Sequence, residues 1–89
     1  MTASELRNIV LKHLHQIAPE ANLDSINETE DLRSQFDIDS MDFYLLLVAL
    51  SEELKVDIPE EQYSELVTLQ KLITFLQNIK AEISEDLNR

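Results

Sequence analysis

The sequence predicts an all-α domain, a bundle of three longer helices and one short one. Three observations carry that expectation. The chain contains no glycine and two prolines, which favours long uninterrupted helices. Apolar residues make up 44% of it and recur at three- and four-residue intervals, the period of a buried helix face. A length of 89 residues suits one modest core and is too short for two, so residues 1–89 read as a single domain.

Thr2-Ala3-Ser4-Glu5 has the spacing of a capping box, and Leu6, Ile9, Val10, Leu14 and Ile17 follow at helical intervals, giving a first helix over about 3–17. Pro19 stops it. The polar stretch from Glu20 to Asp37, pinned by Leu23, Ile26, Leu32 and Phe36, reads as a long ordered loop with a short turn near Thr29 to Arg33. Loops of that length are uncommon unless functional.

A second helix is expected over 40–54, with Asp39 as its N-cap and Asp42 in its first turn, both suited to the positive end of the helix dipole. Phe43, Leu46, Leu47, Leu50 and Leu54 form one apolar stripe, Met41, Tyr44, Leu45 and Val48 another. One face suffices for burial in a small bundle, so the second stripe must meet something else or lie in water. Pro59 suits the first position of a short third helix over 59–65. Thr68 is the next cap, and Leu69, Leu72, Ile73, Leu76, Ile79 and Ile83 mark a fourth helix over 69–82, with 84–89 expected to fray.

The formal net charge of −11 argues against nucleic acid or an anionic membrane as partner and makes basic protein surfaces the natural complement. That charge is uneven: Asp37 to Glu65 holds nine acids against Lys55, a net of −8, leaving −3 for all other residues. No segment approaches the roughly 18 to 20 apolar residues of a membrane span, and the first residues carry no basic leader. A cytoplasmic monomer is expected. Without cysteine, disulfides, thiolate catalysis and zinc-thiolate sites fall away.

Asp39-Ser40-Met41-Asp42 is the most informative stretch. A serine beside an aspartate at a helix start is ordinarily a cap, but Asp39 fills that role, which leaves Ser40 at the first helical position with its hydroxyl free. Nucleophilic catalysis would need a base within reach. The histidines are His13 and His15, both on the first helix, and a G-x-S-x-G elbow is impossible in a glycine-free chain. Two residues apart, they point to different sides of the helix and make a poor metal pair. Asp37, Asp39 and Asp42 lack the glycine and the twelfth-position glutamate of a calcium loop, that position being Val48. Neither a catalytic residue nor a metal site is assigned, and the protein is not expected to be an enzyme.

Taken in order, the first helix, the long loop, Asp39-Ser40-Met41-Asp42, the acidic second helix, Val56-Asp57-Ile58-Pro59-Glu60 and the helix begun by Thr68 resemble the acyl carrier protein family. The resemblance spans nearly the whole chain and implies a four-helix bundle of the acyl-carrier type. It implies that a phosphopantetheinyl transferase attaches 4'-phosphopantetheine from coenzyme A to Ser40, and that the arm's thiol carries acyl groups as thioesters between enzymes of fatty-acid, polyketide or related lipid synthesis. Asp39, Met41, Asp42, Tyr44, Leu45, Val48, Glu52 and Glu53 would then form a docking face for acyl-loading and acyl-processing enzymes with basic surfaces. Phe43, Leu46, Leu47, Leu50, Ile58, Leu66, Leu72, Ile73 and Leu76 would line the core into which an acyl chain slips.

Three positions depart from the family's usual pattern. Asp37 stands where carriers commonly have glycine, Leu45 where many fatty-acid carriers have an acid, and Tyr44 adds to an unusually apolar face. These departures suggest a dedicated pathway partner. Asp-Ser-Met also resembles D-alanyl carriers, so aminoacyl carriage is one alternative; an unmodified helical interaction domain is another.

Overall fold

Three side-chain caps set where the long helices begin. A computed structural model describes residues 2–87. Helix α1 (Ala3–Ile17) starts with the full capping box: Thr2 Oγ1 accepts from the Glu5 amide at 3.1 Å, and Glu5 Oε1 accepts from the Thr2 amide at 3.3 Å. After a short α2 (Leu32–Gln35), helix α3 (Ser40–Leu54) is capped by Asp39, whose carboxylate accepts from the Asp42 amide at 2.8 Å. Helix α4 (Leu69–Leu87) follows Thr68, whose hydroxyl accepts from the Lys71 amide at 3.2 Å. Such caps are typically worth about 1 kcal/mol each.

The described residues are helical with no strand, as the sequence predicts, around one core. Helix α1 packs against both α3 and α4. Leu6, Val10 and Leu14 meet Leu46, Leu47 and Leu50 and, from α4, Leu69, Leu72 and Leu76, all fully buried. No polar side chain among the described residues is buried with them. Specificity in this core therefore comes from shape and helix register rather than from an internal polar network.

Four boundaries differ from the sequence reading, each for a local reason. The long loop is not wholly irregular, because Asp31 caps the one-turn α2 by accepting from the Arg33 amide at 2.8 Å, and Asn22 caps a 3-10 turn at Leu23–Ser25. The short third helix is a 3-10 segment at Glu60–Glu65, and Pro59, extended at ψ 140°, precedes it instead of opening it. Helix α4 continues past Glu82 to Leu87, since no glycine or proline interrupts it. Residues 88–89 of the expected frayed tail lie outside the described residues.

The loop from α1 to α3 is held by non-local bonds. The Leu32 amide donates to the Val67 carbonyl at 2.8 Å and the Gln70 amide to the Glu28 carbonyl at 3.0 Å, with an isolated antiparallel bridge between Asp31 and Thr68. Within the loop the Gln35 side chain donates to the carbonyls of Asn27 at 2.8 Å and Glu30 at 3.0 Å while accepting from the Asn27 amide at 3.0 Å. Leu32 is fully buried beneath these bonds.

Two residues take left-handed backbone without being glycine, Asp37 at φ 53° and Lys55 at φ 56°. Lys55 ends α3, and the Val56 amide folds back to the Ser51 carbonyl at 3.1 Å, the reversal glycine usually provides. The far side of α3 is tied to α1 by a shared acid, Glu53 Oε1 lying 2.7 Å from both Lys12 Nζ and His13 Nε2.

Lys55→Gly should raise stability by about 0.5 to 1 kcal/mol, the left-handed penalty less glycine's extra chain entropy, seen as a higher thermal midpoint; a lower midpoint would show that position to be unstrained. The Glu53 carboxyl is held below its ordinary value, first by the Lys12 hydrogen bond and then by His13. A depressed folded-state pKa contributes stability above the unfolded value and loses it as pH falls through the folded one. Glu53→Gln should therefore be less stable than the native chain at neutral pH. That gap should close as pH drops below the unperturbed 4.5, which urea midpoints at a series of pH values would track.

Candidate functional site

Ser40 is the first residue of α3 and is exposed. Its position follows from a short chain of local geometry. After α2 the Phe36 amide returns to the Leu32 carbonyl at 3.2 Å, Asp37 turns left-handed, and the Ile38 amide donates to the Arg33 carbonyl at 3.1 Å. Ile38 then buries its side chain, and the next two residues become the cap and the serine. The cap is made by the Asp39 carboxylate, and the Asp39 carbonyl accepts from the Phe43 amide at 3.1 Å, so the serine hydroxyl is not needed to start the helix.

Along α3 the two apolar stripes separate as their spacing requires. Phe43, Leu46, Leu47, Leu50 and Leu54 are buried. Met41 is 65% exposed, Leu45 51% and Tyr44 38%, with Val48 half-buried beside them. Asp39 and Glu52 lie exposed and Asp42 half-buried near this strip. Glu53 stands apart, its carboxylate engaged by Lys12 and His13 on α1, so its charge is largely answered within the molecule.

Tyr44 has a second task. Its hydroxyl donates to Glu60 Oε1 at 3.1 Å, and its ring meets that of Tyr63 edge-to-face with centroids 5.3 Å apart, joining α3 to the 3-10 segment. Both phenols titrate above their ordinary value, Tyr44 through its bond to Glu60 and Tyr63 mainly through burial. Ser40 opens on a cleft of about 250 Å³ between these two elements, walled by Arg33, Phe43, Tyr44, Tyr63, Ser64 and Val67. A second, more open cleft that Ser40 also lines is formed by Asp31, Arg33, Ser34, Ile38 and Asp39.

The nine residues expected to form an interior chamber, Phe43, Leu46, Leu47, Leu50, Ile58, Leu66, Leu72, Ile73 and Leu76, are all in the buried core. Among them, Phe43 faces the cleft beside Ser40, and Ile73 borders a separate one near the start of α1.

Sequence reasoning passed over Arg33, Tyr63 and Glu60. Arg33 Nε and Nη2 donate to the two Asp31 oxygens at 3.1 and 2.8 Å, and the guanidinium lies 5.9 Å from the Phe43 ring centre. The Asp31 carboxyl is held low chiefly by this bond. A signal was present: Arg33 is the single lysine or arginine between Lys12 and Lys55. Among the described residues, no helix is long and apolar enough to cross a membrane, and no three histidine, cysteine or acidic side chains converge as metal ligands do.

Residues 4–76 match the family model described as a phosphopantetheine attachment site. The chain is 29% identical to an acyl carrier protein of Campylobacter hominis over 75 residues, covering 84% of this chain and 89% of that one. It is 28% identical to that of Zymomonas mobilis over 80 residues, 90% and 96% of the two chains. With an acyl carrier protein of Thermosynechococcus vestitus the identity is 36% over 63 residues, 71% of this chain and 67% of that one. With the helical bundle, the cap-and-serine start of α3 and a family match over most of its length, this chain belongs to the phosphopantetheine-attachment family of acyl carrier proteins.

Proposed function

We propose that Ser40 is the attachment point of the 4'-phosphopantetheine arm and that the protein delivers acyl thioesters to partner enzymes in lipid synthesis or a related pathway, acting as a carrier and not as a catalyst. The observation that supports it most is the exposed Ser40 at the first position of α3, relieved of capping by Asp39. The residues around it suit the group, since the serine is exposed and lines two clefts. Once attached, the arm supplies the thiol that this cysteine-free chain lacks.

The exposed strip of Met41, Leu45, Tyr44 and Val48 is the proposed docking face, bordered by Asp39, Asp42 and Glu52. Its physics suits a transient partner. Acids at the rim steer a basic surface by long-range attraction, and the apolar centre holds it once water is displaced. Glu53, already bonded to α1, contributes less to that rim than its neighbours. Leu45 at the middle of the strip makes the face more apolar than charged, which favours a partner with a matching hydrophobic recess over general fatty-acid duty.

Incubation with coenzyme A and a broad-specificity phosphopantetheinyl transferase should add one arm by intact mass, and Ser40→Ala should take none. No adduct on the native chain, with its helicity intact, would favour an unmodified interaction domain instead. Leu45→Glu should leave thermal stability within about 0.5 kcal/mol of the native chain, because the side chain is half in water, and should change which partner enzymes bind. A large loss of stability in that variant would show the second stripe to be core.

A further inference from the structure

The two clefts that Ser40 lines share one cation. Arg33 lines both, and its surroundings are acidic, with Asp31, Asp37, Asp39 and Asp42 in the same stretch of chain. A phosphodiester on Ser40 would bring a further negative charge into that field. The start of α3 offers it one amide fewer than a bare helix terminus would, because the Asp42 amide is already given to the Asp39 carboxylate. A side-chain cation would add to what the rest of the first turn supplies.

Arg33 is built to supply it. Asp31 grips Nε and Nη2, and the Phe43 ring supports the guanidinium. These contacts fix the orientation of the planar fork while leaving Nη1, which neither bond uses, as a donor. The Ile38-to-Arg33 backbone bond folds the segment before Ser40 onto the residue that bears this fork. We propose that Arg33 binds the phosphodiester of the arm, donating from Nη1 to a non-bridging oxygen, while Asp31 holds the guanidinium in place as a positioning residue. The proposal rests on the carrier reading above. It requires no bond to be made or broken: the contact is a charge-assisted hydrogen bond, which arginine makes better than lysine because its fork is rigid.

The competing explanation is that Arg33 only secures Asp31 and α2. The two differ in what loading does. Native chain, Arg33→Gln, Arg33→Lys and Asp31→Asn are each prepared unloaded and loaded with phosphopantetheine, with loading verified by intact mass. Thermal midpoints of both forms and the phosphorus-31 resonance of the loaded form are then measured. The expected result is a midpoint change on loading that is less favourable in Arg33→Gln than in the native chain by on the order of 4 °C, together with a displaced phosphorus resonance. Arg33→Lys should fall between the two, and it carries the test if Arg33→Gln does not fold. Asp31→Asn should retain the native phosphorus shift more closely than Arg33→Gln does. Equal midpoint changes and an unmoved resonance in the Arg33 variants would overturn the proposal while leaving Ser40 as the attachment point. A native chain that takes no arm would overturn both readings.

Discussion

Everything that Ser40 presents depends on two backbone hydrogen bonds far from it in sequence, Leu32 to Val67 and Gln70 to Glu28. They fasten the connection after α1 to the segment that leads into α4, and the fully buried Leu32 closes the seam. Fixing a long loop costs chain entropy at every residue. Here that cost is met by burial of one leucine, by pairing of backbone groups that would otherwise face water, and by the Gln35 amide, which satisfies two carbonyls and one amide of the loop at once. With α2 held, Arg33 and Asp31 have fixed places, the turn at Asp37 has a fixed start, and α3 begins at a fixed point.

Helix α3 serves two masters, and its residues divide accordingly. The leucines of one face complete the core with α1 and α4, where burial of each contributes about 1.5 to 3 kcal/mol. Met41 and Leu45 on the other face contribute little of that kind. Leaving them in water forgoes stability that a second buried face could have supplied, and the proposed docking role would account for that cost. Tyr44 sits at the border and is used both ways: its ring is partly exposed, yet its hydroxyl and edge tie α3 to the 3-10 segment. A partner that lifts Tyr44 from Glu60 would loosen the cleft that begins at Ser40.

What could be read from the chain was what local rules decide. The caps at Thr2, Asp39 and Thr68, the apolar period of the helices and the split of α3 into two stripes all depend on residues within a few positions of each other. The ordered loop could be foreseen only as ordered, because its shape is set by partners such as Val67 and Gln70 that lie some forty residues away. Arg33 escaped notice for the same reason. In sequence it is an ordinary basic residue in a polar stretch; its nearness to Ser40 arises when Asp37 turns left-handed and Ile38 bonds back to it. Glu53 shows the same limit from the other side: its place in sequence groups it with the expected docking face, while its bonds to Lys12 and His13 on α1 are visible only in the fold.

The two left-handed residues stand close to the two ends of α3, Asp37 two positions before its cap and Lys55 at its close. In a chain without glycine each carries a backbone penalty of roughly 1 to 2 kcal/mol, and such strain persists only where the surroundings over-determine the conformation. At Lys55 the surroundings are Leu54, Val56 and Ile58, all buried, so relaxing the turn would pull three side chains from the core. At Asp37 they are Ile38, also buried, and the bonded carbonyls of α2. Both turns are therefore held by packing on either side rather than by their own residue preference. The place of Ser40 is fixed by that arrangement, since the turn before it cannot relax without displacing Ile38 from the core.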